Sequence, residues 1–259
     1  MSSLTPAFPR SLRVATCNIH KGLSIFNHRV VIHALRDQLR ALNADLVFLQ
    51  EVVGRDDGHA ERHGNWPREP QHEFLADLVW TDHAYGRNAV YDAGDHGNAI
   101  LSRYPIAHWE NQDVSSHRFE SRGLLHTEIE VPGWTEPLHC VCVHLALTAR
   151  GRGRQLERLR QRIERIVPAS APLIVAGDFN DWYWRHRATH EFAHPLNMQE
   201  VFEAGGGRPA RSYPSLLPFL RLDRIYVRGF SVRGASVQRG RGWRNSSDHR
   251  ALTCDLELI

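Results

Sequence analysis

LIVAGDFN, residues 173–180, is the stretch that decides the architecture. A run of apolar and small residues this short reads as a strand buried on both faces, which requires a covered sheet. The run ends in Asp178-Phe179-Asn180, where period-two alternation sends two polar side chains to one face and Phe179 to the other. Gly177 removes side-chain bulk just before them and lets the backbone turn sharply. Taken alone, GDFN is equally a plain turn. Working outward, the same form recurs. Ser11–Asn18 (SLRVATCN) reads as a strand ending in Asn18, and Asp45–Gln50 (DLVFLQ) as a buried strand running into Glu51. His144 sits near the end of CVCVHLAL, Asp223 starts LDRIYV, and Asp248 and His249 lie in SSDHRAL. In sheet proteins, ligands bind where strand ends release their loops, so ends of this kind can converge on one pocket.

The rest of the chain supplies the other layers. A helix is expected from His28 to about Leu42, capped by Asn27, with Val30, Val31, Ala34, Leu35 and Leu39 on one face. Gly54–Pro70, polar with Gly and Pro, reads as a long loop, and Gly97–Ser102 as a strand. Gly123–Val131 and Pro137–Leu145 alternate like paired strands around Pro132-Gly133. In Gly153–Val167, Leu156, Leu159, Ile163 and Ile166 recur three and four apart, which gives an amphipathic helix with an arginine-rich solvent face. Leu222–Val227 and Ala251–Leu258 read as further strands. Hairpin-like pairs mixed with β-α-β stretches predict an α/β fold of mixed sheets with helices outside. We expect residues 1–259 to form one domain, with 1–10 a loose N-terminal segment.

Composition excludes several classes. The chain has 259 residues, 42% hydrophobic and 24% charged, too apolar for a disordered polymer. No apolar run approaches the roughly 20 residues of a membrane helix, and no secretory signal is visible, so a cytoplasmic protein is expected. Four cysteines, Cys17, Cys140, Cys142 and Cys254, form no C-x-x-C pair, which argues against a zinc ribbon or redox motif and for buried free thiols in a reducing compartment. A net charge of +3 is too weak to establish a nucleic-acid partner. Of 32 Lys+Arg residues, only Lys21 is lysine. Neither G-x-S-x-G nor a G-K-[ST] phosphate loop occurs, so serine hydrolases and P-loop enzymes lack their signatures.

Singly, each polar strand end has a bland reading: a solvated carboxylate, a cap, a core histidine. Together they match the needs of metal-assisted phosphoryl transfer. That chemistry requires oxygen ligands for a hard cation, a group to orient or deprotonate water, and donors for the non-bridging oxygens. Glu51 and Asp248 suit the first need, Asp178 the second, and Asn180, His144 and His249 the third.

In order, CNIHKG, DLVFLQEV, HGNAILSRYPI, CVHLAL, IVAGDFND, LDRIYV and SSDHRAL resemble blocks of the endonuclease/exonuclease/phosphatase superfamily, closest to its bacterial YbhP-like branch. The superfamily includes DNase I-like nucleases, abasic-site endonucleases, inositol polyphosphate phosphatases and neutral sphingomyelinases. The resemblance runs from about residue 12 to the C-terminus. It implies a four-layer α/β sandwich, two mixed sheets packed face to face with helices outside, and a Mg²⁺- or Mn²⁺-dependent phosphoric ester hydrolase. Carried over, Glu51 is the main metal ligand, with Asn18 and Asp248 beside it. Asp178 positions or deprotonates the attacking water, oriented by Asn180. His249, paired with Asp223, faces the scissile phosphate, and His144 contacts it. Asn98 and Lys21 are weaker candidates for substrate phosphate contacts. One departure stands out: His20 follows Asn18 by two residues where some relatives carry an acid, and histidine is a poorer Mg²⁺ ligand.

Substrate class stays open between a nuclease and a phospholipid or small-molecule phosphodiesterase of sphingomyelinase-like type. A non-catalytic phospholigand-binding module is a third reading. Trp182, Tyr183, Trp184, Arg185, His186 and Arg187 follow GDFND and suit bases or a lipid interface equally. Arg208, Arg211, Arg239, Arg241 and Arg244, in Gly-rich loops, could extend a phosphate-binding rim. Nothing in the sequence marks an obligate protein partner.

Overall fold

A computed structural model describes residues 8–25, 28–115, 120–182 and 187–259. Among them, twelve strands form two sheets of six. In chain order the first seven are β1 (Ser11–Asn18), β2 (Leu46–Asp56), β3 (Asp82–Tyr91), β4 (Gly94–Ser102), β5 (Ile106–Asp113), β6 (Gly123–Ile129) and β7 (Leu138–His144). The others are β8 (Leu173–Asp178), β9 (Gln199–Glu200), β10 (Asp223–Arg228), β11 (Phe230–Val237) and β12 (Leu252–Leu258). The first sheet has the order β11-β12-β1-β2-β4-β3 and the second β5-β6-β7-β8-β10-β9. Each is mixed, with one parallel pair, β1–β2 in the first and β7–β8 in the second.

The apolar runs bury both faces. On β1 and β2, Leu12, Val14, Leu46 and Phe48 point between the sheets, where they meet Leu125, Cys140, Cys142, Ile174 and Ile225 of the second sheet. Their neighbours Ala15, Cys17, Val47 and Leu49 point outward under α1 (Ile32–Ala41) and α3 (Gln71–Ala76), through Ile32, Leu35, Leu39, Phe74 and Leu75. The second sheet's outer face packs Val141, Val143, Leu173 and Val175 under Leu156, Leu159 and Ile163 of α4 (Ala149–Ile166). Helix, sheet, sheet and helix form four layers. All four cysteines are buried and free. Among the described residues, no helix is long and apolar enough to cross a membrane.

Several boundaries move for identifiable reasons. α1 starts at Ile32 rather than His28, because Leu23 and Val30 form an antiparallel bridge and the Val31 N–H is spent on the Gly22 carbonyl. Asn27, the expected cap, lies outside the described residues, as do Tyr183, Trp184, Arg185 and His186. The expected loop Gly54–Pro70 begins as the end of β2 and continues as α2 (Asp57–Arg62), capped by the Asp56 carboxylate on the His59 N–H. α4 starts at Ala149, four residues before Gly153, because the Thr148 hydroxyl caps the Gly151 N–H. Of residues 8–10, the Pro9 carbonyl accepts from the Trp134 indole and the Arg10 carbonyl from the Leu258 N–H.

On β6 and β7 the buried rings of His126 and His139 stack with centroids 5.2 Å apart and share a 3.0 Å hydrogen bond. Burial, then the neighbouring His139 and Arg162, push the His126 pKa down to about 3. The unfolded chain then binds a proton near its ordinary 6.5 that the folded protein refuses, so this stability is present above pH 6.5 and is lost as pH falls towards 3. We expect the melting temperature of the wild type to fall between about pH 7 and pH 4, with a shallower slope in His126→Phe. His72, pushed down to about 4 chiefly by burial, keeps part of the slope. Calorimetric scans across that range check this, and an unchanged slope in the variant contradicts it.

Candidate functional site

Both parallel pairs end on one rim of the sandwich, and the polar strand ends meet there. Register brings this about in the second sheet: His144 on β7 pairs with Asp178 on β8, and Asp178 with Asp223 on β10. In the first sheet Asn18 on β1 sits beside Gln50 on β2. The Ser247 hydroxyl donates to the Asn18 carbonyl at 2.6 Å, which ties the segment carrying Asp248 and His249 to the end of β1.

Glu51 does not end its strand. β2 runs on to Asp56, and its pairing with β4 slips between Leu49 and Val52. Glu51 sits in that bulge at φ +55, a left-handed conformation uncommon for a residue with a side chain. The bulge turns its carboxylate out of the sheet alternation and into the rim. On β8, Gly177 has φ +146, and a Cβ there would lie 2.0 Å from the Val143 carbonyl oxygen of β7. Only glycine allows β8 this close an approach.

Asn18 joins the two sheets. Its buried amide donates to Glu51 Oε1 at 3.1 Å and to Asp178 Oδ2 at 3.2 Å, while its oxygen accepts the His20 N–H. Asp178 Oδ1 accepts the Asn180 N–H at 2.9 Å. Asp178 Oδ2 also faces His144 Nε2 at 3.6 Å and His249 Nε2 at 3.7 Å. His249 Nδ1 lies 2.8 Å from Asp223 Oδ2, and Asp223 is fully buried. Ligand atoms of Asp178, Asp223 and His249 lie within 4.8 Å of one another. Asn180, at φ +50, donates from its amide to the Leu145 carbonyl.

The charges follow from burial and neighbours. Burial, then Asp223, raise the Asp178 carboxyl to about 7 against the pull of His249 and its hydrogen-bond donors. Burial opposes a charge on His249, but Asp223, Asp178 and Asp248 override it and raise its pKa to about 10, so it is a cation at neutral pH. Burial and the Arg122 guanidinium hold His144 down to about 3, which leaves it neutral despite Glu51. Burial likewise disfavours the Glu51 carboxylate, yet the facing imidazoles and the Asn18 amide lower it to about 2.

A second carboxylate group opens to solvent. The side chains of Glu51 and Asp248 are 23% and 20% exposed, and His20 Nδ1 stands between them, 3.9 Å from Glu51 Oε2 and 3.4 Å from Asp248 Oδ1. These oxygens are the donor chemistry a hard divalent cation takes. Asn18 turns its nitrogen toward the carboxylates, so to ligate a cation it would present its oxygen instead.

The two weaker candidates sit differently. Asn98 is fully buried, and its amide spans the sheets to the carbonyls of Gly123 and Cys142. Lys21, at φ +57, is half-buried, and its charge reaches His96. Sequence reading did not single out Arg122, His96 or Ser247. Tyr213 was missed too, with its ring 4.9 Å from that of His249. An arginine among many carries no signal for Arg122, whereas Ser247 is readable as the residue before Asp248 that must fix its loop. Trp182 is exposed at the edge, 6.0 Å from the Tyr213 ring.

Comparison with known proteins identifies the family and the fold. YbhP of Escherichia coli (strain K12) is 46% identical over 248 residues, covering 96% of this chain and 97% of YbhP. The crystal structure of an endonuclease/exonuclease/phosphatase from Beutenbergia cavernae DSM 12333 superposes with TM-score 0.77 at 21% identity, covering 96% of this chain and 72% of that one. The human Nocturnin catalytic domain with bound sulfate anion gives TM-score 0.75 at 20% identity, covering 98% and 97%. The family model for the Endonuclease/Exonuclease/phosphatase family matches residues 15–249. That match, with the 46% identity to YbhP and the two mixed six-stranded sheets, makes the chain a member of the endonuclease/exonuclease/phosphatase family.

Proposed function

We propose that the protein is a metal-dependent phosphoesterase that hydrolyses a phosphodiester or phosphomonoester by in-line attack of water held by Asp178. The observation that carries this is the Asn18 amide bridging Glu51 and Asp178: it sets a solvent-open carboxylate pair and a buried carboxylate–imidazole network side by side. Glu51 and Asp248, with Asn18 beside them, would hold Mg²⁺ or Mn²⁺. Such an ion, when bound, neutralises phosphoryl oxygens and polarises the phosphorus centre. The donor set fits it, since carboxylate oxygens dominate and the pair reaches solvent.

The chain's own groups do the remainder. The Asn180 N–H holds Asp178 Oδ1; Oδ2, which an Asn18 turned oxygen-first to the cation would release, is the oxygen that takes the proton of a water. Water oxygen bonds to phosphorus as the opposite P–O bond breaks, the leaving oxygen keeps the bond pair and departs as the oxyanion, and Asp178 receives the water proton. The His249 cation, fixed by Asp223, and the neutral His144 imidazole donate to the non-bridging oxygens as their charge grows. Buried donors already in place need no reorganisation, which is why they stabilise the transition state more than water would. Sulfate bound to the Nocturnin domain supports tetrahedral-anion binding on this fold. The four buried free thiols support a reducing, cytoplasmic setting.

Isothermal titration of Mg²⁺ or Mn²⁺ into wild type and Glu51→Gln, with turnover of bis(p-nitrophenyl) phosphate alongside, tests the reading. We expect heat of binding in the wild type, a loss of at least ~10-fold in affinity in the variant, and turnover only with metal. Neither heat nor turnover on a panel of phosphate esters would favour the non-catalytic phospholigand-binding module.

A further inference from the structure

Residues 213–220, YPSLLPFL, form a tight hairpin: Tyr213 and Leu220 bridge in antiparallel sense, and the Phe219 and Leu220 N–H groups both donate to the Tyr213 carbonyl. Its base is bolted to the site. The Ser215 N–H donates to the Asp248 carbonyl at 2.6 Å, and the Ser215 hydroxyl donates to the Ser247 carbonyl at 2.7 Å. Arg250 closes the other side, with its guanidinium on the Ser215 carbonyl and its N–H on that of Ser212. The backbone that carries Asp248 and His249 is therefore also the footing of this hairpin.

Its tip is apolar and faces water. Leu216, Leu217 and Phe219 are 58%, 76% and 60% exposed. Elsewhere exposed apolar side chains are single in sequence, as Leu78, Trp109 and Leu147, or paired, as Val90 and Tyr91, and scattered exposure is ordinary on a protein surface. Three on one rigid tip are not, and clusters of this kind mark interaction sites. Arginines lie about the base of the hairpin. Arg221 follows it directly and feels the charges of Arg211 and Arg208, with Glu203 as an acidic neighbour. Arg250 feels Arg239 and Arg244. Two of the three tip side chains are leucines, which do not stack on bases, so the tip suits a nucleic acid strand, held by aromatic faces, less than a lipid surface. Apolar side chains that enter acyl chains, with cations at headgroup level, are the chemistry of an anionic membrane surface.

We propose that this hairpin docks the mouth of the site onto an anionic phospholipid surface, Leu216, Leu217 and Phe219 inserting while the arginines meet lipid phosphates. Docking needs no catalysis. Its use, to present a headgroup phosphoester to Asp178 and His249, rests on the phosphoesterase reading above. Rigid anchoring of the hairpin on Ser247 and Asp248 means that insertion sets the height of the site over the membrane.

Sedimentation with large vesicles of phosphatidylcholine and phosphatidylglycerol, against vesicles of phosphatidylcholine alone, tests the proposal. The wild type should bind the anionic vesicles, more weakly as NaCl rises. The combined change Leu216→Ser, Leu217→Ser, Phe219→Ser should weaken binding by at least ~10-fold and leave turnover of soluble bis(p-nitrophenyl) phosphate unchanged. Wild type that stays in the supernatant with anionic vesicles overturns the proposal, and so does a triple variant that binds them as well as wild type. A triple variant that instead loses affinity for single-stranded oligo-dT overturns it in favour of nucleic acid. Absence of turnover on the soluble ester in wild type counts against the phosphoesterase reading alone, because vesicle binding is read without it.

Discussion

Asp178→Asn should lose at least ~10²-fold in phosphoesterase rate while still folding. The substitution keeps the size of the side chain and an oxygen for the Asn180 N–H. It replaces an acceptor, Oδ2, that faces the Asn18 amide, His144 and His249. No oxygen then remains to take the proton of an attacking water. Stability should change far less than the rate, because burial already disfavours charge on Asp178 and an amide removes that penalty, while the Asn18 amide and His249 lose an acceptor. Initial rates on bis(p-nitrophenyl) phosphate with Mg²⁺ or Mn²⁺, beside calorimetric melting, measure both. A variant that keeps its rate within a few-fold would remove Asp178 from the mechanism.

The second large effect is at His249. His249→Ala should also cost at least ~10²-fold in rate, and here stability should fall with it. Asp223 is fully buried, its Oδ2 is held by His249, and its Oδ1 has no partner among the described residues. Removing the imidazole leaves a buried carboxylate unpaired, which typically costs roughly 3–5 kcal/mol, or about 10 °C in melting temperature for a chain of this size. His249→Asn separates the two roles. Its amide can donate to Asp223 from near the Nδ1 position but cannot supply the Nε2 donor. Melting should recover in His249→Asn while the rate stays low. Recovery of both would make His249 a structural residue only.

Much of this arrangement could be read from the chain because strand and site share a signal. A buried strand needs an apolar run, and a polar residue at its end is either solvated or functional. Leu173–Asp178 and Leu138–His144 showed both halves of that pattern. Edge strands lacked it. β5 is mostly exposed and reads IAHWENQD, with no apolar face to mark it. β3 and β11 are half-exposed in the same way. The bulge at Glu51 was invisible because a slip in register is a property of two strands, and β4 is remote in sequence. Arg122 and Tyr213 were invisible for a related reason: only the folded chain puts them beside His144 and His249.

That bulge also determines which part of the chain is free to vary. Because β2 resumes pairing with β4 after Glu51, the carboxylate is clamped by sheet on either side, and the excursion through α2 to Pro70 hangs from the far end of the strand. Lengthening, shortening or recharging that excursion changes what the rim meets without moving the residue proposed to hold the ion. Selectivity can drift there while the chemical centre stays put.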